Sequence, residues 1–321
     1  MASGIAQRLG RLSFGGAGLG NLYEAISDEQ ARALLEAAWD CGIRYFDTAP
    51  HYGLGLSERR LGAFLADKPR EEYVVSTKAG RLLVPAPETA GRLDDANHFA
   101  VLADHRRVWD FSGQGVRRGL DDSLRRLGLD SVDVLYLHDP EEHDLGPALE
   151  SGIPALTALR DEGAVAAIGV GSKSTKALLA GARSGALDLL MVAGRFTLLE
   201  QPALDEVLPE CRARSVAVAN AAVFNSGVLS SPAPRAGDHY EYGPVPPDVL
   251  ARAREIAAVC ADFGVDLPTA ALHYSLREPV VRTVVAGGAT PAQIRENHRR
   301  MHTSVPGELW DALRDRGLTR L

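Results

Sequence analysis

Cysteine is scarce: Cys41, Cys211 and Cys260 are the only three among 321 residues, far apart, with no CxxC pair and no clustered histidines. An odd, scattered set of thiols excludes a disulfide framework and a zinc site, and fits three reduced cysteines packed in helices or at helix ends. Long apolar runs are missing too. No window approaches 18 uncharged apolar residues, so no membrane-spanning helix is predicted. The leading stretch MASGIAQRLGRLSFGG contains no apolar run of signal-peptide length, and a cytoplasmic protein is expected. Positive charge is in deficit: 35 lysines and arginines face 42 acids, a formal net charge of -7, which argues against nucleic acid or an anionic membrane surface as the main partner. The chain has neither an internal repeat nor a linker that would cut it in two, so residues 1–321 read as one domain. Nothing in the sequence reports an oligomeric state.

What is present is alternation. With 45% hydrophobic residues the chain can bury a substantial core. Short apolar runs predict eight strands: Leu12–Phe14, Gly42–Asp47, Tyr73–Thr77, Val132–Leu137, Ala166–Val170, Leu189–Val192, Val216–Ala219 and Val281–Val285. Between them run helical stripes such as Ala31, Leu34, Leu35 and Ala38, or Val116, Leu120, Leu124 and Leu127. Helix starts are marked by Ser27 before Asp28 and Glu29, by Ser57–Glu58, and by Ser172 or Ser174. Strands such as VDVLYL (132–137) are apolar throughout, as parallel strands covered on both faces are. The fold class expected is therefore α/β, a (β/α)8 TIM barrel, with a doubly wound open sheet as its competitor. Two Pro- and Gly-rich stretches, 81–111 and 230–246, follow the third and seventh strands and would overhang the carboxyl-terminal face.

The strand ends carry polar residues. Asp47 closes the second strand with Tyr52 just beyond, Lys78 ends the third, and His138 ends the fourth. Taken singly, Asp47 could cap a turn, Lys78 could emerge to solvent and His138 could precede the turn at Pro140; four of them at one rim point to proton transfer. A tyrosine of ordinary pKa near ~10 is a poor base. A neighbouring ammonium favours its phenolate, an aspartate keeps that ammonium charged, and a histidine hydrogen-bonds a substrate oxygen. Such a tyrosine moves a proton to or from an alcohol oxygen, and hydride transfer then needs a cofactor.

The segments FDTAPHYGLGLSERRLG, STKAG, DVLYLHDP, AIGVGS and GGATPAQIREN resemble the aldo-keto reductase superfamily over nearly the full chain. The resemblance implies a (β/α)8 barrel that uses NAD(P)(H) without a Rossmann fingerprint, and a catalytic set of Asp47, Tyr52, Lys78 and His138. GGAGLG at 15–20 follows the first strand but lacks the downstream unit of a dinucleotide-binding motif. GRFTLLEQ (194–201), NAAVFNSGVLS (220–230) and HYGLGLSE are similar to the aldose 1-dehydrogenase branch, which includes L-fucose and L-galactose dehydrogenases and a related pyridoxal 4-dehydrogenase. What this implies is NAD(P)-dependent oxidation of an aldose of L-fucose, L-galactose or D-threo type at C1 to its lactone. The alternatives are a pyridoxal or general aldehyde enzyme, and a non-enzymatic barrel that binds nucleotide.

Departures from the family pattern shape the expected cofactor contacts. Where many members have an asparagine after the fifth strand, this chain reads GVGSKS, which offers Ser172 or Lys173. The aromatic that stacks on the nicotinamide is either Phe196 or Phe224. Gly227, Gly287 and Gly288 would let backbone approach the cofactor, and Thr290, a helix N-cap before proline, would direct N–H groups at a phosphate or a ribose oxygen. Members that prefer NADP commonly carry a lysine and an arginine in the loop before the terminal asparagine; Gly287 and Gln293 stand there, ahead of Asn297, so NAD is favoured, with NADP the alternative if Arg295 turns toward the phosphate. Substrate contacts are expected from Tyr52, His138, Trp109, Phe111 and Tyr240, with His105, His239 and Tyr242 as further loop candidates.

Overall fold

The computed structural model describes residues 4–321. All eight predicted strands form: β1 (Leu12–Gly15), β2 (Tyr45–Asp47), β3 (Val74–Ala79), β4 (Val134–His138), β5 (Ala167–Ser172), β6 (Leu189–Ala193), β7 (Ala217–Ala221) and β8 (Val281–Ala286). The largest difference is at β2. It starts at Tyr45 instead of Gly42 because residues 42 and 43 close the preceding helix, the Ile43 N–H donating to the Ala38 carbonyl at 3.0 Å.

Every neighbouring pair is parallel, and β1 bonds to both β8 and β2, so the sheet closes on itself. The open doubly wound alternative is excluded by that closure. Helices α1 (Asp28–Asp40), α2 (Leu56–Leu65), α3 (Gly113–Leu127), α4 (Leu145–Asp161), α5 (Thr175–Arg183) and α6 (Val207–Arg214) connect successive strands. The link from β7 to β8 contains two, α7 (Pro247–Asp262) and α8 (Leu267–Ser275); α9 (Pro291–Met301) and α10 (Gly307–Asp315) follow β8. The expected cap at Ser27 is a reciprocal box with Gln30, and Ser174, rather than Ser172, caps α5. No single helix among the described residues is long and apolar enough to cross a membrane.

Strand parity positions the site. Alternate residues of a strand face opposite sides of the sheet. Phe46, Val75, Leu135 and Leu137 point outward into the layer beneath the helices, where Phe46 packs with Phe14, Trp39 and Phe64 at ring separations of 6.0, 6.4 and 6.2 Å. Tyr45, Val74, Val134 and Tyr136 point into the barrel, among an interior group that includes Leu189, Met191 and Val285. Asp47, Lys78 and His138 share that inward parity, one step nearer the carboxyl-terminal mouth. Ile5 and Leu9 close the opposite end. The long connections are folded rather than loose. Residues 81–111 form two hairpins, Arg81–Pro85 against His105–Trp109 and Leu93–Asp94 against Phe99–Leu102, and a third pairs His239–Tyr240 with Gly243–Pro244. Arg107 braces the first two, donating to both oxygens of Asp94 (2.6 and 3.0 Å) and to the His51 carbonyl (2.8 Å).

Candidate active site

A cleft of about 1110 Å³ opens at the carboxyl-terminal mouth, and Asp47, Tyr52, Lys78 and His138 all line it. Lys78 is 2% exposed and Asp47 3%. Two charges removed from water are tolerated only when paired and fully hydrogen-bonded. Here they are. The three ammonium hydrogens of Lys78 go to Asp47 Oδ2 (2.6 Å), the Thr48 carbonyl (2.9 Å) and the Tyr52 hydroxyl oxygen (3.2 Å), and Asp47 Oδ1 accepts from Ser76 Oγ at 2.6 Å. Behind Ser76 the chain of hydroxyls continues to Tyr45 (2.9 Å) and from there to Tyr136 (3.1 Å), all inside the barrel. Because Lys78 donates to the Tyr52 oxygen, the Tyr52 O–H remains free to donate elsewhere.

Tyr52 arrives on the connection after β2, where two backbones nearly touch. A Cβ on Gly53, whose φ is +61°, would lie 2.2 Å from the Gly20 carbonyl oxygen, and one on Gly20 would lie 2.5 Å from the Tyr52 carbonyl carbon. Only glycine fits at either position, and this contact sets where the phenol sits.

Electrostatics depart from the expectation of a ready phenolate. Burial raises the Tyr52 phenol above its ordinary range, and the Lys78 charge reduces that rise without cancelling it, so at neutral pH the side chain is a phenol. For Lys78, burial pulls downward but the combined pull of Asp47 and Tyr52 prevails and keeps it an ammonium. His138 is pushed well below the usual histidine range by burial, then by Arg81 and Lys78, and is neutral. Its ring stands perpendicular to that of Tyr52, 5.9 Å between centroids. A phenol O–H and an imidazole N–H thus converge where a substrate oxygen would sit.

The remaining expectations divide. Ser172, Lys173, Gly227, Gly287, Gly288 and Gln293 line the cleft, as do Trp109, His105, Phe224 and Tyr242. Phe196, Phe111, Tyr240, His239, Thr290, Asn297 and Arg295 do not. Phe196 is fully buried against Tyr274 (5.4 Å), which leaves Phe224 as the aromatic in the cleft wall. Phe111 is 4% exposed and packs behind Trp109 at 5.8 Å. Tyr240 turns its hydroxyl to Glu200 (2.5 Å), away from the mouth. Thr290 does cap α9, its oxygen accepting from the Gln293 N–H at 3.2 Å, and Thr290 itself stays outside the lining while Ala289 and Gln293 belong to it. Asn297 donates to the Gly287 carbonyl at 3.3 Å, so it supports the loop from behind. Ser172 donates to Glu141 (2.5 Å), and Lys173 pairs with Glu241 of the third hairpin. Arg295 is exposed and lies outside the cleft.

Sequence reasoning missed Arg81, Asp139, His51, Phe99 and Tyr23, all in the lining. Arg81 immediately follows the STKAG motif, Asp139 the histidine, and His51 directly precedes Tyr52, so position gave a signal for these three; Phe99 comes from the second hairpin and Tyr23 from the connection after β1. Among the described residues no cluster of His, Cys, Asp and Glu is arranged to hold a metal.

An extended dinucleotide can be accommodated. Beside the third hairpin the lining is bare backbone at Gly227, whose φ is +128° and where an added Cβ would meet only the Ser230 hydroxyl, at 4.0 Å. Small side chains at Ala193, Ala221 and Ala222 continue that wall. The cleft is large enough for such a group and a small substrate together.

Comparison with known proteins agrees with this geometry. The model of the Aldo/keto reductase family matches residues 11–315. A D-threo-aldose 1-dehydrogenase from Pseudomonas sp is 53% identical over 313 residues, 97% of this chain and 94% of that protein. A pyridoxal 4-dehydrogenase from Microbacterium luteolum is 39% identical over 96% of this chain and 94% of its own length. Among solved structures, an aldo-keto reductase from Bacillus halodurans in holo form superposes with a TM-score of 0.77 at 22% identity, covering 97% of this chain and 92% of that one, which speaks for the fold.

Proposed function

Since the chain belongs to the aldo/keto reductase family and is an oxidoreductase of that family, we propose that it oxidises a cyclic aldose at C1 to the aldonolactone, with NAD as the preferred cofactor. The observation that carries this reading is the three-way use of the Lys78 ammonium, by Asp47, Thr48 and Tyr52, beside a neutral His138.

A bound nicotinamide supplies the hydride acceptor; everything else falls to side chains of this chain. His138 donates its N–H to the C1 oxygen and holds it against Tyr52. The hydroxyl proton passes to the Tyr52 oxygen in its anionic form, which Lys78 stabilises by charge and hydrogen bond, and Asp47 keeps Lys78 charged and aimed. With the Tyr52 phenol raised, the base form grows about tenfold per pH unit across the neutral and alkaline range. Oxidation should therefore accelerate with pH, and the reverse reduction of an aldehyde, for which the phenol is the acid, should not. Ser172, Lys173, Phe224, Gly227, Gly287 and Gln293 would hold the cofactor. The sugar-oxidation reading is supported by the D-threo-aldose 1-dehydrogenase relative, and the preference for NAD by the absence of a basic side chain at Gly287 and Gln293 and by the outward position of Arg295.

Initial rates with L-fucose, L-galactose, D-arabinose and pyridoxal, each with NAD and NADP, test reaction, substrate class and cofactor together. Turnover of pyridoxal with none of the sugars would replace the first reading by that of the second relative; cofactor binding without turnover of any would point to a nucleotide-binding barrel. Tyr52→Phe should remove most turnover and leave NAD affinity nearly intact. Equal loss of both would refute the role given to the hydroxyl.

A further inference from the structure

We propose that Arg81 and Asp139 are positioning residues for His138: the guanidinium fixes the carboxylate, and the carboxylate keeps the imidazole proton on Nε2, the nitrogen that serves the substrate oxygen. The inference rests on the proton-transfer reading above and adds to it a pair of charged residues behind the histidine.

Asp139 follows His138 directly and adopts φ +45°, a left-handed conformation that is uncommon for a side chain other than glycine and that concentrates at functional sites. Its N–H is tied to the Gly171 carbonyl at 2.9 Å. The turn brings its Oδ2 to 3.4 Å from His138 Nε2. The same Oδ2 accepts from Arg81 Nη2 at 2.7 Å, and that nitrogen also reaches Glu142 at 3.0 Å. Arg81 is itself 5% exposed and lies over the Trp109 ring at 4.4 Å, so it has little freedom to swing.

His138 Nδ1 is buried and has no partner. A carboxylate near Nε2 alone therefore favours the tautomer with the proton on Nε2. At 3.4 Å the carboxylate is beyond ordinary hydrogen-bond length, so it biases the proton onto Nε2 without capturing it, and the N–H remains available to a substrate oxygen. His51 and Tyr52 stand edge-on to the ring at 5.7 and 5.9 Å and restrict its rotation.

Asp139 is faced by Arg81 and Lys78 from the β3 side, Tyr52 from the β2 connection, Tyr242 from the third hairpin, His138 beside it, and Glu141 and Glu142 from its own turn. Burial pushes its carboxyl up to about 6 against the pull of Arg81, with Glu142 and Glu141 adding to the rise and Lys78 opposing it. Loss of the carboxylate charge on acidification should then appear as an acid limb in turnover.

The test uses the full chain, with Asp139→Asn, Arg81→Lys and Tyr52→Phe measured in parallel for NAD affinity and for oxidation of the best aldose from pH 5 to 9. Asp139→Asn is expected to retain NAD affinity within twofold, to lose tenfold or more in kcat/KM, and to lack the acid limb near pH 6. Arg81→Lys keeps the charge but loses the flat contact with Trp109; it should lose less activity and, by weakening the pull on the Asp139 carboxyl, move the acid limb to higher pH, and it decides the matter if Asp139→Asn does not fold. Wild-type turnover in Asp139→Asn, an unmoved limb, or NAD affinity lost in proportion would overturn the inference. Tyr52→Phe separates the two claims: if it stays active the proton-transfer reading fails, whereas its inactivity beside a fully active Asp139→Asn removes only the positioning pair.

Discussion

Asp139 should weaken the fold that needs it. In the unfolded chain its carboxyl has a pKa of 3.8, and burial in the cleft pushes this up to about 6, a rise of roughly two units or about 3 kcal/mol. The folded value lies above the unfolded one, so the folded protein holds the proton more tightly. Its stabilising contribution is complete below pH 3.8 and is lost as pH rises through about 6. Asparagine has no proton to lose and resembles the protonated side chain in size and in its oxygen facing Arg81. The melting temperature of Asp139→Asn minus that of the wild type should therefore climb with pH. About 2 kcal/mol of the total falls between pH 4.5 and 8, and for 321 residues this corresponds to about 3 °C. Differential scanning calorimetry of both proteins across that range reads the difference directly, and titrations common to the two cancel. A difference that is flat with pH, or that falls, would refute the electrostatic account.

Further outcomes follow from the same contacts. Lys78→Met removes the partner of a 3%-exposed carboxylate and should destabilise the protein by about 3–5 kcal/mol, seen as a melting temperature lower by about 4–7 °C, with oxidation abolished; a stable, active variant would contradict the buried pair. Gly53→Ala forces a Cβ to within 2.2 Å of the Gly20 carbonyl oxygen at a φ of +61°, so turnover should fall sharply and the melting temperature with it, whereas near-normal rates would mean that the Tyr52 connection is not held by this contact. Alkaline acceleration of oxidation, set by the raised Tyr52 phenol, should vanish in Tyr52→Phe, as stopped-flow or steady-state pH profiles will show.

The barrel was legible because its signals are local. Apolar runs of strand length alternated with helical stripes, and placing the strands put Asp47, Lys78 and His138 at their carboxyl ends, on one rim, without reference to any distant residue. Tyr52 was legible through its distance from Asp47. The choice between a closed and an open sheet was not, because it depends on β1 meeting β8, a pairing between Leu12 and Val284 that no local pattern announces.

The loops explain the other differences. Tyr240 and Tyr242 are two residues apart in a hairpin whose loop residues, Glu241 and Tyr242, both have positive φ (+48° and +67°), as a type I′ turn requires. Neither is the glycine or asparagine that would advertise such a turn, and so the tyrosine that reaches the cleft was not distinguishable from the one that turns away to Glu200. Phe196 and Phe224 posed the same difficulty on opposite sides of a wall.

Local chemistry along the chain determined the strands and the identity of the groups at their carboxyl ends, since runs of apolar residues and strand-end polar residues are properties of neighbouring positions and need no distant partner. Tertiary structure alone decided their charge states and supporting contacts. Whether Tyr52 is a phenol, whether His138 is neutral and which oxygen Arg81 holds depend on burial and on charges brought together from segments tens of residues apart, and electrostatic energy is set by distance in space.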